Sequence, residues 1–326
     1  MSVLVLSDHD VRRLLDMESC VEAMEEVLAS LARGELFQPL RSVARPPGAA
    51  GLLGLMPAHR GGESPAYALK EIVVTPDNPT RGLDAHQGAV LLHDGETGQL
   101  VAVLNASPVT EIRTAAVSAV ATRALARADA RRVAILGAGV QARAHAHAMR
   151  AVLDDPEIRI WARNLDAAEQ LAIEVEAVVS PSPDAALFGA EVVCTTTSAR
   201  EPVVEHRWLA SGAHVNAVGS SIPKARELET ETVAASSLFV DRRESTLNES
   251  GDYLMAQAEG AIGPDHIKAE LGEVLVGTHP GREHEDELTL FKSLGIAVED
   301  LAAAELVVRR AREQGVGTGE RTGCDR

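Results

Sequence analysis

Short apolar runs alternate with helical spacers through the second half of the chain. Strands and helices that alternate at this rhythm are typical of βαβ units, in which a helix connects two parallel strands. The pattern therefore predicts an α/β domain with a doubly wound parallel sheet. The predicted strands lie at 133–136, 158–162, 177–179, 191–198, 214–219 and 238–241, and segment 165–177 is one of the helical spacers.

The first 130 residues have a different pattern. Segment 7–34 predicts one or two amphipathic helices, because its apolar residues recur at helical spacing and Gly34 ends the run. Short β-like runs follow at 67–75, 88–93 and 100–104, and the sequence DGETG between the last two predicts a hairpin. This region therefore predicts an antiparallel sheet.

Two further segments complete the predicted architecture. Residues 113–126 predict a helix of small residues, and TLFKSLG followed by 297–314 predicts a strand and a long helix that packs back on the first domain. We therefore expect two domains, an α+β domain formed by 1–115 with 297–326 and a parallel-sheet domain formed by 116–296. The last dozen residues, GVGTGERTGCDR, are expected to form a loose tail.

A glycine-rich turn follows the first strand of the parallel domain. In GAGVQA, Gly137 allows the tight bend, Gly139 lets the backbone approach a pyrophosphate, and Ala142 is small enough for the helix to pack on the strand. This fingerprint predicts a Rossmann-type dinucleotide site that also includes Val140 and Gln141. Because a complete domain precedes the turn, we expect the chemistry between the two parts.

The strand ends that follow the turn extend this prediction. Ligands of such sheets bind at the carboxyl ends of the strands, so residues after the fourth and fifth strands should line the nicotinamide. We assign Thr196, Ser198, Val218 and Gly219 to that side, and Thr114 to the cofactor site as a whole.

The end of the second strand bears on the choice of cofactor. Domains that prefer NAD place Asp or Glu there to bind the ribose hydroxyls, whereas this chain has Trp-Ala-Arg163-Asn164. An arginine favours a 2′-phosphate. The prediction is therefore NADPH, with Arg163 and Asn164 in the site; if Arg163 faces solvent instead, NADH remains possible.

Lysine usage brings out a candidate for chemistry. The chain has only four lysines, and Lys70 falls among apolar neighbours in AYALKEIVV. It either emerges at a solvent-facing position or is a desolvated ammonium able to donate a proton. Arg113 is predicted to open a helix, where it is unfavourable for the macrodipole and could instead clamp a carboxylate. Arg41 is a further candidate anion ligand, with a surface position as the alternative.

Composition argues against several classes of function. A net charge of −17 argues against a nucleic-acid or anionic-membrane partner. Cys20, Cys194 and Cys324 are too few and too scattered for a disulfide framework or a zinc site, and His145 and His147 are two apart on a helix, so no metal is expected. Without a signal peptide or a membrane-length apolar run, the expected location is the cytoplasm. His86-Gln87-Gly88 is interpreted as a turn without a catalytic role.

The chain resembles the ornithine cyclodeaminase and mu-crystallin family. The matching stretches, in the family's order, are ALKEIVVTPDNPTRGLDAHQGAVLLHD, TEIRTAAVSAVATRALA, VAILGAGVQARAHA, EVVCTTTSAREPV, HVNAVGSSIPKARELE and LTLFKSLGIAVEDLAAA. The resemblance implies that the first domain, with the C-terminal helix, binds an amino-acid-like substrate and forms a homodimer. It also implies that Arg41, Lys70 and Arg113 hold the substrate carboxylate, and that Lys70 serves in the chemistry.

One departure from the family shapes the functional hypothesis. Cyclodeaminases, and the archaeal alanine dehydrogenase branch, carry an aspartate where this chain has Ser221. A serine cannot supply a carboxylate base. The hypothesis is therefore an NAD(P)H-dependent reductase of a small α-imino acid, such as a pyrroline-2-carboxylate or piperideine-2-carboxylate ring. The alternatives are a cyclodeaminase or alanine-type dehydrogenase, and a non-catalytic protein that binds NADPH and a small molecule.

Overall fold

The computed structural model describes residues 2–321 and divides the chain into two units. The first unit runs to Arg113 and resumes at Ile296, and the second is Thr114–Gly295. The division falls inside a helix, between two consecutive residues.

The chain begins with two helices and a run of strands. Ser7 caps the first helix through a reciprocal bond with Asp10, and Asp16 caps the second by accepting from the Ser19 N–H at 2.9 Å. Gly34 follows with φ of +79° and ends this helical region. The elements are β1 (Ser2–Leu6), α1 (Asp8–Leu14), α2 (Met17–Ala32), β2 (Leu36–Phe37), β3 (Ser42–Ala44), β4 (Leu52–Arg60), β5 (Ala66–Val74), a 3-10 helix (Asn78–Arg81), β6 (His86–Asp94), β7 (Leu100–Asn105) and α3 (Ala106–Leu125).

The second unit contains a parallel sheet with helical crossovers. Its central strands are buried on both faces, as their nearly continuous apolar runs require. The elements are β8 (Arg132–Leu136), α4 (Val140–Val152), β9 (Glu157–Trp161), α5 (Leu165–Glu174), β10 (Val178–Val179), α6 (Pro183–Leu187), β11 (Val192–Thr195), β12 (His214–Ala217), α7 (Thr230–Ala235), β13 (Ser237–Val240), α8 (Arg243–Glu249), α9 (Gly251–Ala258), β14 (Ile267–Glu270), α10 (Leu271–Leu275) and β15 (Thr289–Lys292). The strand order is β10-β9-β8-β11-β12-β15-β13-β14, with every pair parallel.

The chain then returns to the first unit with α11 (Ala297–Gln314) and β16 (Thr318–Arg321). The first sheet has the order β16-β1-β7-β6-β5-β4-β2, with β3 also paired to β4. From β2 to β7 every pairing is antiparallel, and only β1 runs parallel to β7 among the described pairs. Helix α11 packs on α2 and on strands β4, β5 and β6. The predicted α/β fold class and the return of the last helix are confirmed.

Three local predictions are wrong. Helix α3 begins at Ala106, so Arg113 lies two turns inside it rather than at its start. His86–Gly88 forms the beginning of β6 and not a turn. Residues 318–321, predicted to be part of a loose tail, pair antiparallel with β1, while the tail residues after them lie outside the described residues. Within the described part of the chain, no helix is long and apolar enough to cross a membrane.

Candidate functional site

Strand β5 places Lys70 on a covered face of the first sheet. In β5 the buried side chains of Ala68, Lys70 and Ile72 alternate with exposed or half-buried ones, and Lys70 lies directly opposite Met56 of β4 and Val90 of β6. Because α11 packs on these three strands, Lys70 is only 2% exposed. The solvent-facing interpretation of Lys70 is therefore wrong.

Two acidic residues from the first turns of α11 meet Lys70 and Arg113. The Lys70 Nζ lies 2.7 Å from Asp300 Oδ2. The Arg113 guanidinium donates from Nε to Asp300 Oδ1 at 3.0 Å and from Nη1 to Glu299 Oε2 at 2.7 Å. All four side chains are buried, so these ion pairs lie in a poorly hydrated environment where electrostatic interactions are strong. We call Lys70, Arg113, Glu299 and Asp300 the four-charge cluster.

The cluster changes the acidity of its lysine. Burial lowers the pKa of Lys70 to about 8, with the positive charge of Arg113 acting in the same direction and the negative charge of Asp300 opposing both. An ammonium with this pKa remains mostly protonated at neutral pH and still releases its proton readily. This is the behaviour required of a general acid near physiological pH.

The position of Arg113 corrects the argument that selected it. Since Arg113 lies two turns inside α3, the macrodipole at a helix start does not bear on it. What distinguishes it is the burial of a guanidinium that makes ion pairs with two carboxylates. Glu299 and Asp300 were not predicted, because acidic residues in the first turns of a helix are ordinary and nothing in the sequence links them to residues about 187 positions away.

The strand register bears on two other residues, Arg41 and His86. Arg41 is half-buried and directly precedes Ser42 of β3. Ser42 pairs with Leu55 of β4, and the residue after Leu55 is Met56, which lies opposite Lys70. His86 pairs with Val74 and therefore shares the face of Lys70. Although part of His86 is exposed, loss of hydration, followed by the positive charge of Lys70, lowers its pKa. No role was predicted for this histidine.

In the second unit, the glycine turn connects β8 to α4. Gly137 has φ of +130°, and a Cβ there would lie 2.5 Å from Thr196 Oγ1, so only glycine fits. Gly139 is the N-cap of α4 without a side-chain cap, and a Cβ on it would meet nothing within 4 Å. A helix start without a side-chain cap, and with open space beside its N-cap glycine, fits the pyrophosphate of a dinucleotide.

Most of the other predicted cofactor residues follow the carboxyl end of a strand in the sequence. Ala142 is fully buried, Val140 is 45% exposed and Gln141 is half-buried. Asn164 caps α5 by accepting from the Ala167 N–H at 3.2 Å, and Arg163 beside it is exposed. Thr196 Oγ1 donates to the Leu136 carbonyl at 3.0 Å, which ties the end of β11 to that of β8. Thr114 is buried on α3, Ser198 is exposed, and Val218 and Gly219 are half-buried.

The histidines and cysteines have structural surroundings. His145 Nε2 bonds to Ser118 Oγ at 2.9 Å, and burial lowers the pKa of this imidazole to about 4. Burial also raises the pKa of the Cys194 thiol to about 12, consistent with its interpretation as a small hydrophobe. Among residues 2–321, no group of three or more His, Cys, Asp or Glu side chains is placed to hold a metal ion.

A model of the ornithine cyclodeaminase/mu-crystallin family matches residues 1–315. The chain belongs to this family. It is 40% identical over 308 residues to the ketimine reductase mu-crystallin of Mus musculus, covering 93% of this chain and 95% of that protein.

Two solved structures resemble the chain along almost its whole length. One is the Δ1-pyrroline-2-carboxylate reductase of Thermococcus litoralis in complex with NADH and L-proline, at a TM-score of 0.93 and 37% identity over 97% of this chain and 99% of that one. The other is an archaeal alanine dehydrogenase dimer with bound NAD, also at 0.93, with 32% identity over 99% of this chain and 100% of that one.

These relatives confirm the prediction of an NAD(P)-dependent oxidoreductase that acts on C=N or CH–NH bonds. They support the reduction of cyclic imines in general. The particular substrate has to be inferred from the residues of this chain.

Proposed function

We propose that the protein reduces a small cyclic α-imino acid, of the pyrroline-2-carboxylate or piperideine-2-carboxylate type, to the corresponding amino acid. The observation that carries the proposal is the four-charge cluster, in which a buried lysine of lowered pKa lies beside a buried arginine. A cyclic imino acid has a carboxylate, which cations bind, and an imine nitrogen, which must gain a proton during reduction. The cluster offers a group for each task.

The first unit supplies the substrate-binding residues. Arg113 and Arg41 hold the carboxylate, since a planar guanidinium binds two oxygens at once. Lys70 contacts the carboxylate and polarises the imine. When bound, the dinucleotide supplies the hydride. As the C=N bond is reduced, the imine nitrogen would take a proton from the Lys70 Nζ, and water would then return a proton to Lys70.

The second unit supplies the cofactor-binding residues. The N-terminus of α4, with Gly137, Gly139, Val140, Gln141 and Ala142, holds the pyrophosphate. Thr114, Thr196, Ser198, Val218 and Gly219 line the nicotinamide half. Arg163 and Asn164 receive the adenosine half, and the exposed guanidinium of Arg163, with no carboxylate in the same turn, favours NADPH over NADH.

The Ser221 position separates this proposal from the other reactions of the family. Ser221 is exposed and follows β12, so no carboxylate base is available at that place in the sequence. A cyclodeaminase would release ammonia from ornithine with no net oxidation of the dinucleotide. An alanine-type dehydrogenase would use ammonia and pyruvate. Both reactions are therefore included as outcomes of the test.

The test is a substrate screen with purified protein. Cyclic and linear α-imino acids are offered with NADPH and with NADH separately, and oxidation of the dinucleotide is followed by absorbance. We expect turnover with cyclic imino acids and higher kcat/KM with NADPH. Ammonia release from ornithine would replace the proposal with cyclodeamination, and tight NADPH binding without oxidation by any substrate would replace it with a binding protein. Lys268→Met, at an exposed lysine, is the control for loss of a lysine.

We also propose that the protein is a homodimer formed through the outer face of the first sheet. Phe37 and Tyr67 both neighbour His59 in the register and are 66% and 49% exposed, and Val73 on the same face of β5 is 45% exposed. An apolar sheet face of this kind is typical of an isologous interface. Sedimentation should give a dimer for the wild type and a monomer for Val73→Glu; a monomeric wild type would contradict the proposal.

A further inference from the structure

A second buried group of charges lies in the second unit, apart from the four-charge cluster. Lys292 on β15 places its Nζ 2.9 Å from Asp252 Oδ2 on α9. The other oxygen of Asp252 accepts the backbone N–H groups of Glu227 and Leu228, at 2.8 and 3.0 Å. Lys292, Asp252 and Glu227 are all buried. We call these three residues the Glu227 relay.

The carboxylate of Glu227 holds two loops at the carboxyl edge of the parallel sheet. Its Oε1 accepts from the backbone N–H and the hydroxyl of Thr197, both at 2.7 Å. Its Oε2 accepts from the Thr195 hydroxyl and from the Gly219 N–H, both also at 2.7 Å. Thr195 ends β11 and Gly219 follows β12, and these two strands are neighbours in the sheet. One side chain therefore joins the ends of two adjacent strands.

The packing around this carboxylate leaves little freedom for the loop after β12. A Cβ on Gly219 would lie 2.1 Å from the Thr197 carbonyl oxygen and 2.4 Å from Glu227 Oε1. A Cβ on Gly251 would lie 1.8 Å from the Ala225 carbonyl, which also accepts the Ser220 hydroxyl. Because neither glycine position can admit a side chain without movement, the loop is held on both sides.

We propose that Glu227 is a positioning residue for the nicotinamide half of the dinucleotide, because it fixes the loops that carry Thr196, Ser198, Val218 and Gly219. The inference rests on the proposed function, which assigns those four residues to the cofactor. Glu227 acts through the loops and touches neither substrate nor cofactor. Nothing in the sequence singled out Glu227, since it lies eight residues beyond the predicted end of the fifth strand at 219.

The chemistry of the site requires a carboxylate. Each oxygen accepts a backbone N–H, from Thr197 on one side and from Gly219 on the other, and these donors cannot rotate away. A glutamine has one oxygen, so its NH₂ would face one of the two N–H groups. Burial raises the pKa of Glu227, and the positive charge of Lys292 opposes this rise. Asp252 thus fixes the backbone of Glu227, and the positive charge of Lys292 stabilises its carboxylate form.

The experiment compares Glu227→Gln with Glu191→Gln in the full chain. Glu191 also accepts two backbone N–H groups, from Arg131 and Arg132, at the opposite edge of the same sheet. Calorimetry measures the binding of NADPH and of 2′-phospho-ADP-ribose, which lacks the nicotinamide. We expect Glu227→Gln to weaken NADPH binding about tenfold or more, corresponding to ~1.4 kcal/mol, with little change for 2′-phospho-ADP-ribose. Glu191→Gln should change neither.

A second variant and a kinetic measurement complete the test. Thr195→Val removes one hydroxyl donor to Glu227 and keeps both backbone donors, so it should fold and show a smaller loss in the same direction. In turnover, Glu227→Gln should lower kcat at saturating NADPH, because a misplaced nicotinamide transfers hydride more slowly.

The results that would contradict the role of Glu227 differ from those that would contradict the proposed function. Equal losses for NADPH and for 2′-phospho-ADP-ribose, or an unchanged affinity for NADPH, would overturn the role of Glu227. Failure of the proposed function gives a separate result, in which the wild type binds NADPH but oxidises neither NADPH nor NADH with any imino acid.

Discussion

The two buried lysines of the chain each pair with an aspartate, and they differ in the other groups that this aspartate binds. Lys70 and Lys292 are 2% and 1% exposed, and each lies within 3 Å of one aspartate, Asp300 or Asp252. Asp300 shares its charge with a second cation, Arg113, whereas Asp252 accepts two backbone N–H groups and faces a second carboxylate in the relay.

This difference separates a reactive lysine from a structural one. If Lys70 turns towards a substrate, Asp300 keeps its ion pair with Arg113, so the ammonium can move at a low cost. If Lys292 moved, Asp252 and Glu227 would be left as two buried carboxylates without a cation, which would destabilise the fold. The second cation on Asp300 therefore allows Lys70 to move towards a substrate, whereas the pairing with Asp252 holds Lys292 in place.

The largest expected effect comes from removing each lysine in turn. Lys70→Met should lower kcat/KM by about 10³-fold, within the range for loss of a general acid, with a small change in the thermal midpoint because Arg113 remains. Lys292→Met should destabilise the protein by about 3–5 kcal/mol, as for a broken buried ion pair. The measurements are imine reduction and thermal unfolding. A normal rate for Lys70→Met would remove Lys70 from the mechanism.

A change at Arg113 tests whether this residue binds the carboxylate of the imino acid. Arg113→Lys keeps the charge and loses the fork that reaches both Glu299 and Asp300, so KM for the imino acid should rise by about ten- to a hundredfold, equivalent to one or two charge-assisted bonds. Arg60→Lys is the matched control, since Arg60 pairs with Glu305 of the same helix α11 at 2.7 Å. If the two variants raise KM equally, Arg113 does not bind the carboxylate.

The pH profile tests the acidity of Lys70 directly. With its pKa lowered to about 8, reduction should slow above pH 8, about tenfold per pH unit, as the proton donor is lost. Stability should change in the opposite direction. Between pH 8 and the ordinary value of 10.5, the unfolded chain binds the Lys70 proton more strongly than the folded one, so this group makes folding more favourable as pH rises.

Above pH 8 the rate should fall while the contribution of Lys70 to stability rises. This difference in sign shows whether the loss of rate is due to unfolding. Thermal midpoints are measured across the same pH range as the rates. Lys70→Arg, whose guanidinium does not lose its proton, should abolish the alkaline decrease in whatever activity it retains. A decrease that persists in this variant would assign the titration to another group.

The sequence was sufficient for the parallel domain and insufficient for the four-charge cluster, for a physical reason. Apolar runs and the glycine turn are local signals, and β8, β9, β11, β12 and β13 lie where those signals predict them. Lys70 was assigned to the correct strand, but its direction depends on α11, which packs on that strand from more than 200 residues away. The error at Arg113 was also local, because α3 begins at Ala106 and contains Pro108 in its first turn, where proline is tolerated.

The smallest expected effect concerns Arg163 and extends the comparison to the cofactor. Unlike the buried cations, Arg163 is exposed, so its interaction with a 2′-phosphate is partly screened by water and salt. Arg163→Asp should shift the ratio of kcat/KM for NADPH and NADH about tenfold or more towards NADH, the effect of replacing an attraction by a repulsion at a solvated site. Arg207→Asp, at an exposed arginine outside the predicted site, is the control. An unchanged ratio in Arg163→Asp would mean that the 2′-phosphate is bound elsewhere, and that the missing carboxylate at the end of β9 does not by itself select the cofactor.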